Sequence, residues 1–377
     1  MRKGWEYKKL GEVATYINGY AFKPDQWKES GTPIVRIQNL NNANAPYNYY
    51  DGEVPDKVKI QNGDLLISWS ASLGAYIWNG GNAFLNQHIF KVAFDKTDID
   101  KFFLKYAVTS KLAAMAEQVH GATMKHIVKK DFDNTQIPYP PKSTQLAIVS
   151  ELDKINELIR LKKEQLKDFD NLAQSLFYEM FGDPVENEKG WEVKKLGEIA
   201  KSAIGLTYKP ENVTKELSGT IVLRSSNIQN SILDFNNIVR VNVPVKEDKM
   251  VNDGDILMCS RNGSFRLVGK VALIKNLKKR MSYGAFMTII RSQYNPYLFE
   301  YFKTPAFRQY LITGKTTTVN QITVKMLNNL TLPLPPLSHQ HLFSQRIEQI
   351  EREKSEVQKS IQDLETLLAS RMQYWFE

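Results

Sequence analysis

The sequence predicts two homologous α+β domains, each followed by a long helix, with the two helices forming an antiparallel coiled coil about a pseudo-two-fold axis. Three observations carry this reading. An internal repeat spans nearly all 377 residues, an apolar stripe of seven-residue period closes each copy, and the positive charge lies outside those stripes. At 42% hydrophobic and 24% charged, the chain has the composition of a globular protein rather than a disordered one.

The repeat opens with Gly4-Trp5-Glu6-Tyr7-Lys8-Lys9-Leu10-Gly11-Glu12, which returns as Gly190-Trp191-Glu192-Val193-Lys194-Lys195-Leu196-Gly197-Glu198. Through Pro24 and Pro210, 12 of 21 positions are identical at an offset of 186. Gly63-Asp64-Leu65-Leu66 matches Gly254-Asp255-Ile256-Leu257 at 191, and from Tyr106/Tyr301 to Phe181/Phe376 the offset is 195. The slips fall between matched blocks, where loops absorb insertions. The ends of the unit are alike and its middle diverges, a pattern expected of one scaffold carrying two different working surfaces.

Residues 1–142 and 183–337 are the expected domains, in which short β-type runs such as Asp64–Trp69 alternate with Gly, Asn and Pro. Asp100 and Asn295 are expected to cap one helix in each. Ile137-Pro138-Tyr139-Pro140-Pro141 and Leu332-Pro333-Leu334-Pro335-Pro336 close the domains, and Ser143 and Ser338 are expected to cap the long helices, 143–182 and 338–377. Along the first helix Ile148, Leu152, Ile155, Ile159, Lys162, Leu166, Phe169, Ala173, Leu176 and Met180 recur at 4-3 spacing. In the second, Phe343, Ile347, Ile350, Lys354, Val357, Ile361, Leu364, Leu368, Arg371 and Trp375 do the same. Four sustained heptads are a coiled-coil signature, and polar breaks such as Lys162 and Lys354 commonly set register. Thirty-three residues at ~1.5 Å rise make a rod of roughly 50 Å, longer than the ~34 Å of one DNA turn.

Fifty Lys and Arg against 41 Asp and Glu give a net charge of +9. Each long helix holds five basic and seven acidic residues, a net of −2, which leaves +13 on the rest and points to a polyanionic partner. One cysteine, Cys259, excludes an internal disulfide and a thiolate zinc cluster. No apolar run approaches the roughly 20 residues of a membrane span, and Met1-Arg2-Lys3-Gly4-Trp5 lacks the apolar core of a secretion signal. A cytoplasmic location is therefore expected. Catalysis is not: no phosphate-cradling or cofactor-binding glycine motif is present. Glu6-Tyr7-Lys8 and Glu192-Val193-Lys194, half of a nuclease signature without its Pro-Asp partner, are read as solvated charge. His339 and His341, spaced i,i+2, point apart on a helix.

Two variable domains alternating with two similar helices, each domain opening with Gly-Trp-x-x-x-x-Leu-Gly-Glu and closing with Pro-Pro-x-x-x-Gln, resemble the DNA-specificity (S) subunit of a Type I restriction-modification system. The resemblance covers essentially the whole chain. It implies that the domains are target-recognition domains, each reading one half of a bipartite, asymmetric double-stranded DNA target. The coiled coil would set the unread gap and dock two methyltransferase (M) subunits. S-adenosylmethionine would then sit on the M subunits, ATP and Mg on restriction (R) subunits, and no cofactor or metal on this chain. The competing reading is a non-enzymatic coiled-coil scaffold whose basic domains bind protein or RNA.

Base reading favours Arg on guanine and Asn or Gln on adenine. Where the copies diverge beside shared turns, the first offers Ser68, Trp69, Ser70, Ser72, Asn86, Gln87, His88, Lys125 and His126. The second offers Arg261, Asn262, Ser264, Arg266, Asn320 and Gln321, with Arg261 and Asn262 foremost. Arg36, Gln38, Asn39 and Arg224, Ser226, Asn227 form a further pair of clusters. Arg36 and Arg224, common to both copies, are either DNA contacts or internal hydrogen-bonding residues, since shared positions cannot explain two different targets. Asn and Ser beside glycines are also ordinary turn residues. Trp69 is either core or a surface stack. Lys129, Lys130 and Lys209 are candidate phosphate contacts.

Overall fold

The computed structural model describes residues 4–42, 44–118, 127–313 and 320–377. The chain divides into two compact units, residues 1–163 with 359–377, and residues 164–358. The first contains β1 (Glu6–Lys9), α1 (Leu10–Val13), β2 (Thr15–Asn18), β3 (Thr32–Val35), α2 (Ile37–Asn41), β4 (Asn48–Tyr50), β5 (Lys59–Ile60) and β6 (Leu65–Ser68). These are followed by β7 (Gly74–Ile77), β8 (Ala83–Leu85), β9 (Ile89–Ala93), α3 (Lys101–Gln118), α4 (Lys129–Asn134) and β10 (Gln136–Tyr139). One antiparallel sheet has the order β2-β9-β6-β7. A second, β4-β3-β8-β5, holds the parallel pair β3 and β8. All four residues of β6 are buried, as its place between β9 and β7 requires.

The second unit repeats this plan. Its elements are β11 (Glu192–Lys195), α6 (Leu196–Ile199), β12 (Lys201–Ile204), β13 (Val213–Thr214), β14 (Thr220–Leu223), β15 (Ile228–Gln229), β16 (Ile232–Leu233), β17 (Val239–Val241) and β18 (Ile256–Cys259). Then come β19 (Val271–Leu273), β20 (Met281–Tyr283), β21 (Met287–Arg291), α7 (Asn295–Tyr301), α8 (Pro305–Thr313), α9 (Val324–Asn329) and β22 (Thr331–Leu334). The sheets β12-β21-β18-β19 and β13-β17-β14-β20 correspond to those of the first unit, with β14 and β20 parallel. The hairpin of β15 and β16 has its turn on Asn230 and Ser231, both at positive φ.

The like ends of the repeat are like because they touch. Strand β1 pairs antiparallel with β10, and β11 with β22, so each opening motif is hydrogen-bonded to its own proline stop. Shared Gln145 donates from Nε2 to the Pro140 carbonyl (2.9 Å), as Gln340 does to Pro335 (2.6 Å). Shared Gly19 and Gly205 lie against the 85–86 and 283–284 backbones, where a Cβ would collide with the carbonyls of Asn86 and Tyr283.

The long helices α5 (Lys142–Phe181) and α10 (Leu337–Phe376) pack together in opposite senses. In the first unit Glu151, early on α5, is ion-paired with Arg371, late on α10, and Lys163 with Glu365 (2.7 Å). In the second, Asp170 of α5 meets Lys354 of α10 (2.8 Å), and Phe181 packs on Phe343 (centroids 4.9 Å apart). Ile148, Leu152, Ile155, Ile159, Leu176, Ile350, Val357 and Ile361 are buried. Lys162, Leu166, Phe169, Ile347, Lys354, Leu364 and Leu368 are half-buried.

Three expected helix starts differ. Ser143 and Ser338 lie inside the first turn, and the Pro141 and Pro336 carbonyls accept the first helical bonds, from Gln145 N and Gln340 N. The proline that ends the strand also begins the helix, leaving no linker for a serine cap. Asn295 sits just inside α7, with Tyr294 at the cap. Its buried amide donates to the Gly254 and Ile290 carbonyls instead (2.6 and 2.9 Å). Asp100 does cap its helix, accepting from Phe102 N and Phe103 N (both 2.9 Å).

Candidate nucleic-acid interface

In each unit the polar clusters converge where strands of the two sheets end. The turn after β3 holds Arg36–Asn39, and the stretch after its parallel neighbour β8 holds Asn86–His88, joined by Asn86 N donating to the Val35 carbonyl (3.1 Å). The loop after β6 holds Ser68–Ser72, and Trp69 N donates to the His88 carbonyl (3.3 Å). Ile127 N closes the corner by donating to the Trp69 carbonyl (3.1 Å). The second unit reproduces each link. Gly284 N donates to Leu223 O (2.9 Å), Ser260 N to Phe286 O (2.9 Å), and Ile322 N to Ser260 O (2.8 Å). One backbone frame thus carries different side chains in the two copies.

Several predicted readers are occupied within this frame. Asn39 accepts from Arg36 N (3.0 Å) and donates to Ala45 and Pro46 carbonyls (3.2 and 3.3 Å). Asn227 accepts from Arg224 N (2.9 Å) and donates to those of Asp234 and Asn237 (2.9 and 3.1 Å). Both asparagines are buried. Arg36 donates to Asn48 Oδ1 (3.0 Å) and lies over the Trp27 ring (4.9 Å), while Arg224 donates to Asn237 Oδ1 (3.2 Å). The shared arginines therefore brace their own turns. Ser68 and Ser70 are buried, and Ser68 Oγ donates to the Ser72 carbonyl (2.6 Å). Trp69 is half-buried, stacked on Phe90 (5.5 Å) with His88 at its edge (5.0 Å). Lys129 pairs with Asp133 (2.6 Å), Lys209 lies 3.5 Å from Glu211, and Lys130 is exposed. Lys125 and His126 lie outside the described residues.

In the second unit the loop after β18 is tied on both sides. Asn262 donates from Nδ2 to Ser225 Oγ (3.1 Å), accepts from Ser264 N at Oδ1 (3.0 Å), and donates from its own N to the Asn320 carbonyl (3.2 Å). Asn320 Nδ2 donates to the Gly263 carbonyl (2.9 Å), and Gln321 bridges to Arg261 through the backbone. Burial pushes the Cys259 thiol up and keeps it protonated beneath the loop. Exposed on this platform are Arg261, Ser264 and Arg266, with Ser226; in the first unit's own frame Gln38, Ser72 and Gln87 are exposed. The Arg261 guanidinium lies 5.2 Å from the Phe286 ring centroid and has no side-chain hydrogen bond among the described residues. Phe286 was not among the sequence candidates. Its counterpart is His88, because β9 and β21 align at an offset of 198, a slip that the matched blocks do not reveal.

Among the described residues no group of three or more His, Cys, Asp or Glu side chains could hold a metal ion. No helix among them is long and apolar enough to cross a membrane. A duplicated frame, variable polar loops on a constant backbone and a shared helix pair define a sequence-recognition scaffold. The family model "Type I restriction modification DNA specificity domain" matches residues 2–168 and 188–366. The chain belongs to this family: it is the DNA specificity subunit of a Type I restriction-modification system, a component that is not itself catalytic. The EcoBI specificity subunit of Escherichia coli is 22% identical over 396 residues, covering 95% of this chain and 81% of that one. The MjaVIII specificity subunit of Methanocaldococcus jannaschii is 24% identical over 409 residues, covering 97% and 92%. The fold is shared with a solved chain from a study of type I R-M complex assembly and conformational transition (TM-score 0.64, 19% identity, 99% of this chain and 97% of that one). It is also shared with the M. genitalium S subunit (TM-score 0.52, 14% identity, 100% and 98%).

Proposed function

We propose that each unit reads one half of a bipartite, asymmetric DNA target through the loops after β6 and β18, with the strand ends beside them. The helix pair sets the spacing between the halves and docks two methyltransferase subunits. Those subunits carry S-adenosylmethionine, and restriction subunits bring ATP and Mg. The observation that carries the reading is Arg261: an exposed guanidinium, without a hydrogen-bond partner among the described residues, on a loop whose neighbouring Asn262 is bound internally. An arginine fork in that state matches the O6 and N7 acceptors of guanine. Lys129, Lys130 and Lys209 fit phosphate contacts, which add affinity without sequence information. Support for docking comes from Leu158, Leu161, Leu172, Leu342 and Leu367, apolar side chains exposed on the helices.

The test is a binding-site selection from a randomised duplex library, using the chain assembled with its methyltransferase subunits. Two separated half-sites with a constant gap are expected. Binding of all duplexes alike, with only a salt dependence, would reject the reading.

A further inference from the structure

Phe286 is a large ring left 58% exposed directly before β21. It is tied to the Arg261 loop twice. Its carbonyl oxygen accepts from both Ser260 N and Arg261 N (2.9 and 3.1 Å), and its ring face lies beneath the Arg261 guanidinium. The first unit has the same frame with different occupants. His88 stands at the Phe286 position and meets Trp69, the counterpart of Ser260, ring to ring at 5.0 Å. Both copies therefore place a ring against the reading loop at the residue before the last sheet strand, where each ring meets a different neighbour.

We infer that Phe286 is the positioning residue that orients the Arg261 fork for a guanine in the half-site read by the second unit. This rests on Arg261 being a base-reading residue. A guanidinium drawn to an aromatic face spends none of its N–H groups on a hydrogen bond, and those are the groups that pair with two acceptors on one base edge. An arginine side chain without such a platform samples many rotamers, and reaching the base requires all of them to collapse into one. The ring biases that choice before DNA arrives. The position also varies between the copies, as a residue serving target choice should.

The experiment uses the full chain assembled with its methyltransferase subunits and compares Phe286→Ala, Phe286→Leu, Phe286→Tyr and Arg261→Ala by selection and competition on single-base variants of the selected duplex. Phe286→Ala and Phe286→Leu are expected to lower discrimination by about 3- to 10-fold at the base pair that Arg261→Ala relaxes, with the other half-site unchanged. Phe286→Tyr, which keeps the face, should restore it. Phe286→Leu separates the platform from bulk, since it retains an apolar side chain but has no ring. If Arg261→Ala relaxes one base pair while Phe286→Ala and Phe286→Leu leave it intact, the platform is refuted and the Arg261 reading survives. Equal weakening of every duplex by the Phe286 variants also refutes it, because that would mark a wedge or a structural residue. If Arg261→Ala changes no preference, both inferences fall.

Discussion

The indole rings of Trp5 and Trp375 stack with centroids 6.0 Å apart and planes 1° from parallel. Trp375 also donates from Nε1 to Glu151 (3.1 Å), which is ion-paired with Arg371, so the opening motif and both long helices meet at one patch of the first unit. Beside it Phe376, 2% exposed, packs on Phe103 (5.3 Å).

Phe376→Ala is therefore expected to destabilise the first unit by about 3–5 kcal/mol, the usual cost of emptying a buried phenylalanine site. Denaturant unfolding read by hydrogen exchange should show lost protection in residues 101–112 and 142–163. Unchanged protection there would mean that the end of α10 is dispensable.

Arg261 and Arg224 should behave differently. Arg261→Ala should shift base preference in one half-site by roughly 1–3 kcal/mol and leave the other alone. Arg224→Ala, which removes a brace to Asn237, should weaken binding without changing the preferred base. Competition on single-base variants separates the two, and a base change from Arg224→Ala would contradict its bracing role.

On the helix pair, burial lowers the Lys354 pKa, but Asp170 and Glu351 outweigh it and hold the ammonium above the ordinary lysine range. That contribution is complete at neutral pH and fades only above that range. Because Asp170 is exposed and the buried Glu300 keeps its nearer partner Lys303, replacing the lysine strands no buried charge. Lys162→Leu with Lys354→Leu should leave stability within about 1 kcal/mol of the parent or above it, while broadening the tolerated gap between half-sites. A thermal melt and a selection with varied gap length check both parts, and an unaltered gap would remove register setting from these lysines.

Glu300 supplies a pH dependence. Only 5% exposed, its carboxyl is pushed up by burial and by Glu351, against the pull of Lys303 (2.6 Å) and Lys354. The folded state thus holds a proton that the unfolded chain releases near the ordinary glutamate value of 4.5. The stability tied to that proton is full below the unfolded value and is lost as pH rises through the raised one. Glu300→Gln should gain on the parent in denaturation midpoints as pH is taken through the range above that unfolded value. A constant difference across that range would assign the linkage elsewhere.

From the sequence by itself came the duplicated plan, the opening and closing motifs and the heptad stripes. Each is a local periodicity or a string that recurs, and the recurring strings are those that pair with one another, as Lys8 does with Ile137 and Lys194 with Leu332. Tertiary structure alone decided which polar side chains remain available. The side chains of Arg36, Asn39, Arg224, Asn227 and Asn262 find their partners 2–37 residues away, so type and position in the chain could not separate a brace from a reader. Only folding leaves Arg261 exposed over the face of Phe286, because a side chain's freedom depends on donors and acceptors brought up by other strands.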